Sequence, residues 1–147
     1  MLSELLNEKR IKIVDEVSNW EQAIELVSQP LIDSGDIEPN YVKAIIDSTN
    51  DLGPYYVLAP MIAMPHARPE QGVHNNGLSL LIIKNGVNFH SEENDPVKIV
   101  LLLAAKDSDQ HIELITSIAE FFSSEEDVFD VSVSTDKQQV LEIIKKF

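Results

Sequence analysis

The chain has 147 residues, 44% of them hydrophobic and 24% charged, with 25 Asp and Glu against 11 Lys and Arg and a formal net charge of −14. That length suits one domain, residues 1–147, which removes roughly two-thirds of its unfolded surface from water. The composition excludes a disordered or fibrous chain, the acidity excludes the basic footprint that nucleic acid requires, and the lack of cysteine excludes disulfides, thiolate catalysis and Cys-type zinc sites.

The opening residues, MLSELLNEKRIKIV, have neither a basic start nor an uninterrupted apolar stretch, so no secretory signal is expected. Ser18-Asn19-Trp20-Glu21 has the form of a capping box, with Ser18 and Glu21 satisfying each other's backbone donors. Trp20, Ala23, Ile24, Val27 and Leu31 follow at helical spacing. Pro30 is placed to kink that helix and Gly35 to end it. Pro39 opens a second helix, with Tyr41, Ala44, Ile45 and Ser48 on one face.

The pattern then changes. Tyr55 to Ala59, Leu78 to Ile83 and Val97 to Ala104 read as strands bounded by Gly, Pro and Asn, and two of them are apolar on both faces. Strands of that kind need helices above and below. The longest apolar run, Ile99 to Ala105, is far below the ~20 residues of a membrane helix, so a soluble, cytoplasmic protein without membrane insertion is expected. Asp107-Ser108-Asp109-Gln110 opens a helix whose apolar face is Ile112, Ile115, Ile118, Ala119 and Phe122. A short helix follows Ser124. The last helix begins with a second capping box, Thr135 to Gln138, and buries Val140, Ile143, Ile144 and Phe147, with Lys145 and Lys146 suiting its C-terminal dipole. Helices at both ends with strands between imply an α/β fold, a three-layer α/β/α sandwich. Its sheet is mixed, because no helix separates the strands from Tyr55 to Ala104.

Four histidines stand in different settings. His74 and His90 lie in turn-rich or polar loops and read as surface residues. His66 lies between Pro65 and Pro69, two residues before Arg68, one of only two arginines in the chain. A stiff backbone, a nucleophilic imidazole and a guanidinium that grips phosphate oxygens in a fork are what phosphoryl chemistry needs. A proline-rich loop with an ordinary histidine fits the composition equally well. His111 falls in the first turn of its helix, where free N–H groups and the helix dipole favour an anion and a neutral imidazole. A packing or capping role fits it too.

The segments Gly53 to Pro60, Ile62 to Glu70 with its Pro-His-Ala-Arg-Pro core, Val87-Asn88-Phe89, Asn94 to Val97, and Leu103 to His111 together resemble the enzyme IIA domains of the mannitol/fructose superfamily. The resemblance runs along nearly the whole chain and is strongest to the ascorbate-type branch. It implies a phosphotransferase that takes phosphate from the phosphocarrier HPr onto His66 and passes it to a IIB component during sugar uptake. It makes His111 the second active-site histidine. No cofactor is expected, and two histidines alone are a thin ligand set for a metal. The mannitol and fructose branches carry an arginine near the end of the second helix. Here Ile46 to Asn50 holds none, and Arg68 is expected to supply that charge. Three other readings remain: a regulatory module whose phosphate is a signal, a metal site formed by His66 and His111 with Asp107 or Asp109, and a histidine-pair hydrolase.

Overall fold

In the computed structural model, the described residues are 1–106 and 108–147, with backbone only for 108–111. Five strands form one mixed sheet: β1 (Ile11–Val14), β2 (Val57–Ala59), β3 (Ile62–Ala63), β4 (Gly77–Val87) and β5 (Val97–Ala104), in the order β1-β4-β5-β3-β2. β1 runs parallel to β4 and β3 parallel to β5, while β4–β5 and β2–β3 are antiparallel. The helices are α1 (Leu2–Leu5), α2 (Trp20–Asp33), α3 (Pro39–Leu52), α4 (Ser108–Ser123), α5 (Glu125–Ser132) and α6 (Lys137–Ile144).

The central strands are apolar on both faces because each face carries its own core. Leu81, Ile83, Val100, Leu102 and Ala104 pack with Trp20, Ile24, Leu31, Tyr41 and Ile45 of α2 and α3. The alternate residues Leu78, Leu80, Ile82, Ile99, Leu101 and Leu103 pack with Leu2, Leu114, Ile118, Phe121, Val131 and Ile144 from α1, α4, α5 and α6. The three-layer α/β/α sandwich and the mixed sheet are therefore as the patterning predicts.

Details differ. β1 comes before α2, so strands are not confined to the middle of the chain. The caps of α2 and α6 sit one residue later than expected. Asn19 Oδ1 accepts from the Gln22 N–H, and Asp136 Oδ1 from the Gln139 N–H. The glutamine side chains reach back to the amides of Ser18 and Thr135. Pro30 stays inside α2, which ends at Asp33, and Gly35 follows at φ 79°. On α4 the buried residues are Leu114, Ile118 and Phe121, whereas Ile112 is 66% exposed and Ala119 also faces water. Asp107, expected in the opening of that helix, lies outside the described residues.

Candidate active site

His66 lies just past β3, where the chain still follows the edge of β5. The Leu103 N–H donates to the Pro65 carbonyl at 3.1 Å, and the Met64 N–H to the Tyr56 carbonyl at 2.9 Å. Ile62 and Met64 face the core beneath α4, and Ala63 and Ala67 the core beneath α3. Alternation then sets His66 on the α4 side of the sheet. α4 begins four residues after the end of β5, and His111 belongs to its first turn. The backbone thus brings both histidines to one end of the sheet. The His111 side chain, like those of Ser108, Asp109 and Gln110, lies outside the described residues.

The half-buried imidazole of His66 is oriented by its own backbone. Its Nδ1 lies 2.9 Å from the Met64 carbonyl oxygen. A carbonyl only accepts, so in the neutral ring Nδ1 carries the hydrogen and Nε2 keeps the lone pair. Tyr55 closes the other side. Its ring meets the imidazole edge-on, with centroids 5.7 Å apart, and its hydroxyl donates to the His66 carbonyl at 2.9 Å. Partial burial raises the Tyr55 phenol above its ordinary value. Tyr41, wholly buried on α3, holds the next residue: its hydroxyl accepts from the Ala67 N–H at 3.0 Å. Burial pushes its phenol up to about 12.

The recess beside His66 is lined by Tyr41, His66, Ala67, Pro69, Leu103 and Ala105 and holds only about 30 Å³. Sites for drug-sized molecules run to roughly 300–1,000 Å³. The recess therefore suits a few atoms, such as phosphoryl oxygens, rather than a drug-sized ligand.

Arg68 is exposed at the start of the 3-10 turn Pro69–Gln71, with its N–H on Gln71 Oε1 at 3.1 Å. Among the described residues its side chain forms no ion pair, either with the neighbouring Glu70 or with any other acid. Arg10 is committed elsewhere, to Asp36 at 2.5 Å. Lys43 pairs with Asp47 on the surface of α3. Lys84 is six residues along β4 from Leu78, which pairs with Leu103, and so lies roughly 20 Å away along the strand. Lys106, one residue past the recess-lining Ala105, is the lysine that sequence proximity misses, because the pairing of β3 with β5 brings it to this end. His74 sits at 3.1 Å from Glu38, and His90 is exposed at φ 62°, in keeping with surface roles. Among the described residues no three His, Asp or Glu side chains gather as metal ligands. The metal reading depends on His111, Asp107 and Asp109, which lie outside that set.

The ascorbate-specific enzyme IIA component of Escherichia coli K12 is 36% identical over 143 residues, covering 97% of this chain and 93% of that one. The solution structure of the mannitol-specific cryptic enzyme IIA of E. coli superimposes with a TM-score of 0.91 at 37% identity, covering 99% of both chains. The E. coli mannitol enzyme IIA, solved in complex with phosphorylated mannitol enzyme IIB, superimposes with a TM-score of 0.83 at 29% identity, covering 97% of this chain and 98% of that one. A family model described as the phosphoenolpyruvate-dependent sugar phosphotransferase system, EIIA 2, matches residues 4–147. This chain belongs to that family, the type 2 EIIA components of sugar phosphotransferase systems.

Proposed function

We propose that the whole chain acts as a single cytoplasmic EIIA domain that accepts a phosphoryl group from phospho-HPr on Nε2 of His66 and hands it to a IIB component. The observation that carries this reading is the bond between Nδ1 and the Met64 carbonyl. It leaves the Nε2 lone pair free to attack phosphorus as the donor's P–N bond breaks. The positive charge that spreads to Nδ1 meets the carbonyl dipole. Met64 thereby stabilises the charge that develops on the ring without taking its proton.

Protein partners fit the surroundings. The recess has room for only a few atoms, and Leu52, Tyr55, Leu58 and Ile112 expose apolar surface on the α3 terminus, the following loop, β2 and α4. Such exposed apolar groups serve protein contact. The relative solved with its phosphorylated IIB supports transfer in that direction. No helix among the described residues is long and apolar enough to cross a membrane, consistent with a cytoplasmic site of action. Arg68 supplies positive charge to the equatorial oxygens. His111, from the N-terminus of α4, supplies a neutral donor to the phosphoryl group.

The test is incubation with phosphoenolpyruvate, enzyme I and HPr. One acid-labile, alkali-stable phosphoryl group should be added, and His66→Ala should abolish it. Full phosphorylation of that variant contradicts the reading. His111→Ala should still accept phosphate but pass it to IIB about 10²–10³-fold more slowly, the usual loss for one preorganised donor. Stable phosphorylation with no transfer to any IIB would point instead to a signalling module.

A further inference from the structure

The pairing that runs from β3 along β5 breaks on either side of His66, at Pro65 and at Ala67. The register sets Ile62 opposite Ile99 and Ala63 opposite Val100. Carried three residues past Ala63, it sets His66 opposite Leu103. In a parallel ladder Leu103 should then donate to residue 65 and accept from residue 67. The first of these bonds is made. In place of the second, the Ala67 N–H donates to the Tyr41 hydroxyl at 3.0 Å, and that hydroxyl donates to the Leu103 carbonyl at 2.8 Å. A phenolic oxygen from α3 thus stands inside the ladder. It takes the place of the direct bond, ordinarily ~2.9 Å long, from the Ala67 N–H to the Leu103 oxygen. Pro65, which has no N–H, also gives β5 no bond just before this point. The recess beside His66 is lined by the residues around this gap: Tyr41, Ala67 and Leu103.

We propose that Tyr41 is a positioning residue for phosphoryl transfer, its hydroxyl a spacer that holds the His66 segment off β5 and keeps the recess beside the imidazole open. The proposal rests on His66 being the phosphoryl acceptor.

The surroundings fix the spacer on both sides. The turn that follows His66 docks on the first turn of α3, where the Glu38 N–H donates to the Gly72 carbonyl at 2.9 Å and the Asn40 side chain to the Gln71 carbonyl at 3.2 Å. Gly72, at φ 137°, lets that turn approach closely. A Cβ there would lie 3.2 Å from both the Tyr41 Cβ and the Tyr41 nitrogen. With its phenol raised by burial, the hydroxyl keeps its proton, which it needs to bridge a donor and an acceptor at once.

Tyr41→Phe removes the oxygen and keeps the ring. Ala67 then either bonds Leu103 directly, closing the recess, or is left unpaired, and the imidazole shifts in either case. Tyr56→Phe is the matched control: Tyr56 is also wholly buried, but its hydroxyl bonds Thr49, away from His66. With phospho-HPr as donor, Tyr41→Phe should lower kcat at least tenfold with little change in KM and move the 15N resonances of the His66 ring. Tyr56→Phe should leave both at wild-type values. Tyr41→Phe at the Tyr56→Phe rate, or slowed with unmoved imidazole resonances, overturns the proposal. The wild-type protein gives a second check that needs no variant. Its Tyr41 hydroxyl proton should exchange slowly and show a nuclear Overhauser contact to the Ala67 amide, and absence of that contact also overturns the spacer. Loss of the acceptor reading itself shows separately, as phosphate that survives His66→Ala.

Discussion

The two arginines, Arg10 and Arg68, do unlike work. Arg10 meets Asp36 at 2.5 Å, and Asp36, only 7% exposed, also accepts from Ser34. Arg10→Ala leaves that carboxylate nearly buried without its cation and should cost about 2 kcal/mol, seen as a lower melting temperature. Arg68 is exposed and makes no ion pair among the described residues, so Arg68→Ala should keep stability within about 0.5 kcal/mol of wild type. It should nonetheless slow transfer from phospho-HPr by more than tenfold. Arg68→Lys should recover part of the rate, because an ammonium offers a point charge rather than a fork. Wild-type stopped-flow rates in Arg68→Ala would shift the charge to Lys106 or to the α4 N-terminus. The closeness of His66 and Arg68 was legible in the sequence because both lie in one proline-stiffened segment. The approach of Tyr41 and Tyr55 to His66 was not, because they come from α3 and the loop after it, contacts that spacing along the chain does not encode.

The helices show where local chemistry decides and where it does not. Each misjudged cap lies in a segment with two overlapping choices, Ser18 to Glu21 or Asn19 to Gln22, and Thr135 to Gln138 or Asp136 to Gln139. The fold takes the second choice both times, with the glutamine as reciprocal partner. Asn19→Ala should therefore destabilise by about 1 kcal/mol and Ser18→Ala by much less, in denaturant melts. Reversal of that order would restore the first choice. β5 was legible to the residue because a run buried on both faces has no other use. β1 and β3 were not: one buried and three half-buried residues in the first, and two residues just after Pro60 in the second, carry little pattern of their own and are strands only through β4 and β5. The face of α4 was misread because its apolar residues exceed what its core needs, and the surplus, Ile112, faces outward.

For the whole molecule, buried phenols link the sheet to α3. Tyr41 and Tyr56 are both raised to about 12 by burial, while in the unfolded chain a tyrosine ionises near 10. The unfolded state therefore loses its protons first, and each residue contributes stability that is complete below pH ~10 and is lost between ~10 and ~12, on the order of 3 kcal/mol apiece. Melts against pH should show that fall, with Tyr56→Phe making it shallower. A fall of equal depth in the variant would assign it to other groups. At the same scale, the proposed relay brings phosphate from one protein and passes it to another, and a recess of about 30 Å³ beside His66 is large enough for the few atoms that exchange involves. The central claim is the nitrogen that carries the phosphate. NMR of the 15N-labelled phosphoprotein should show phosphorus coupled to Nε2 of His66, with Nδ1 still bearing its hydrogen toward Met64; coupling to Nδ1, or to any other residue, would contradict the account.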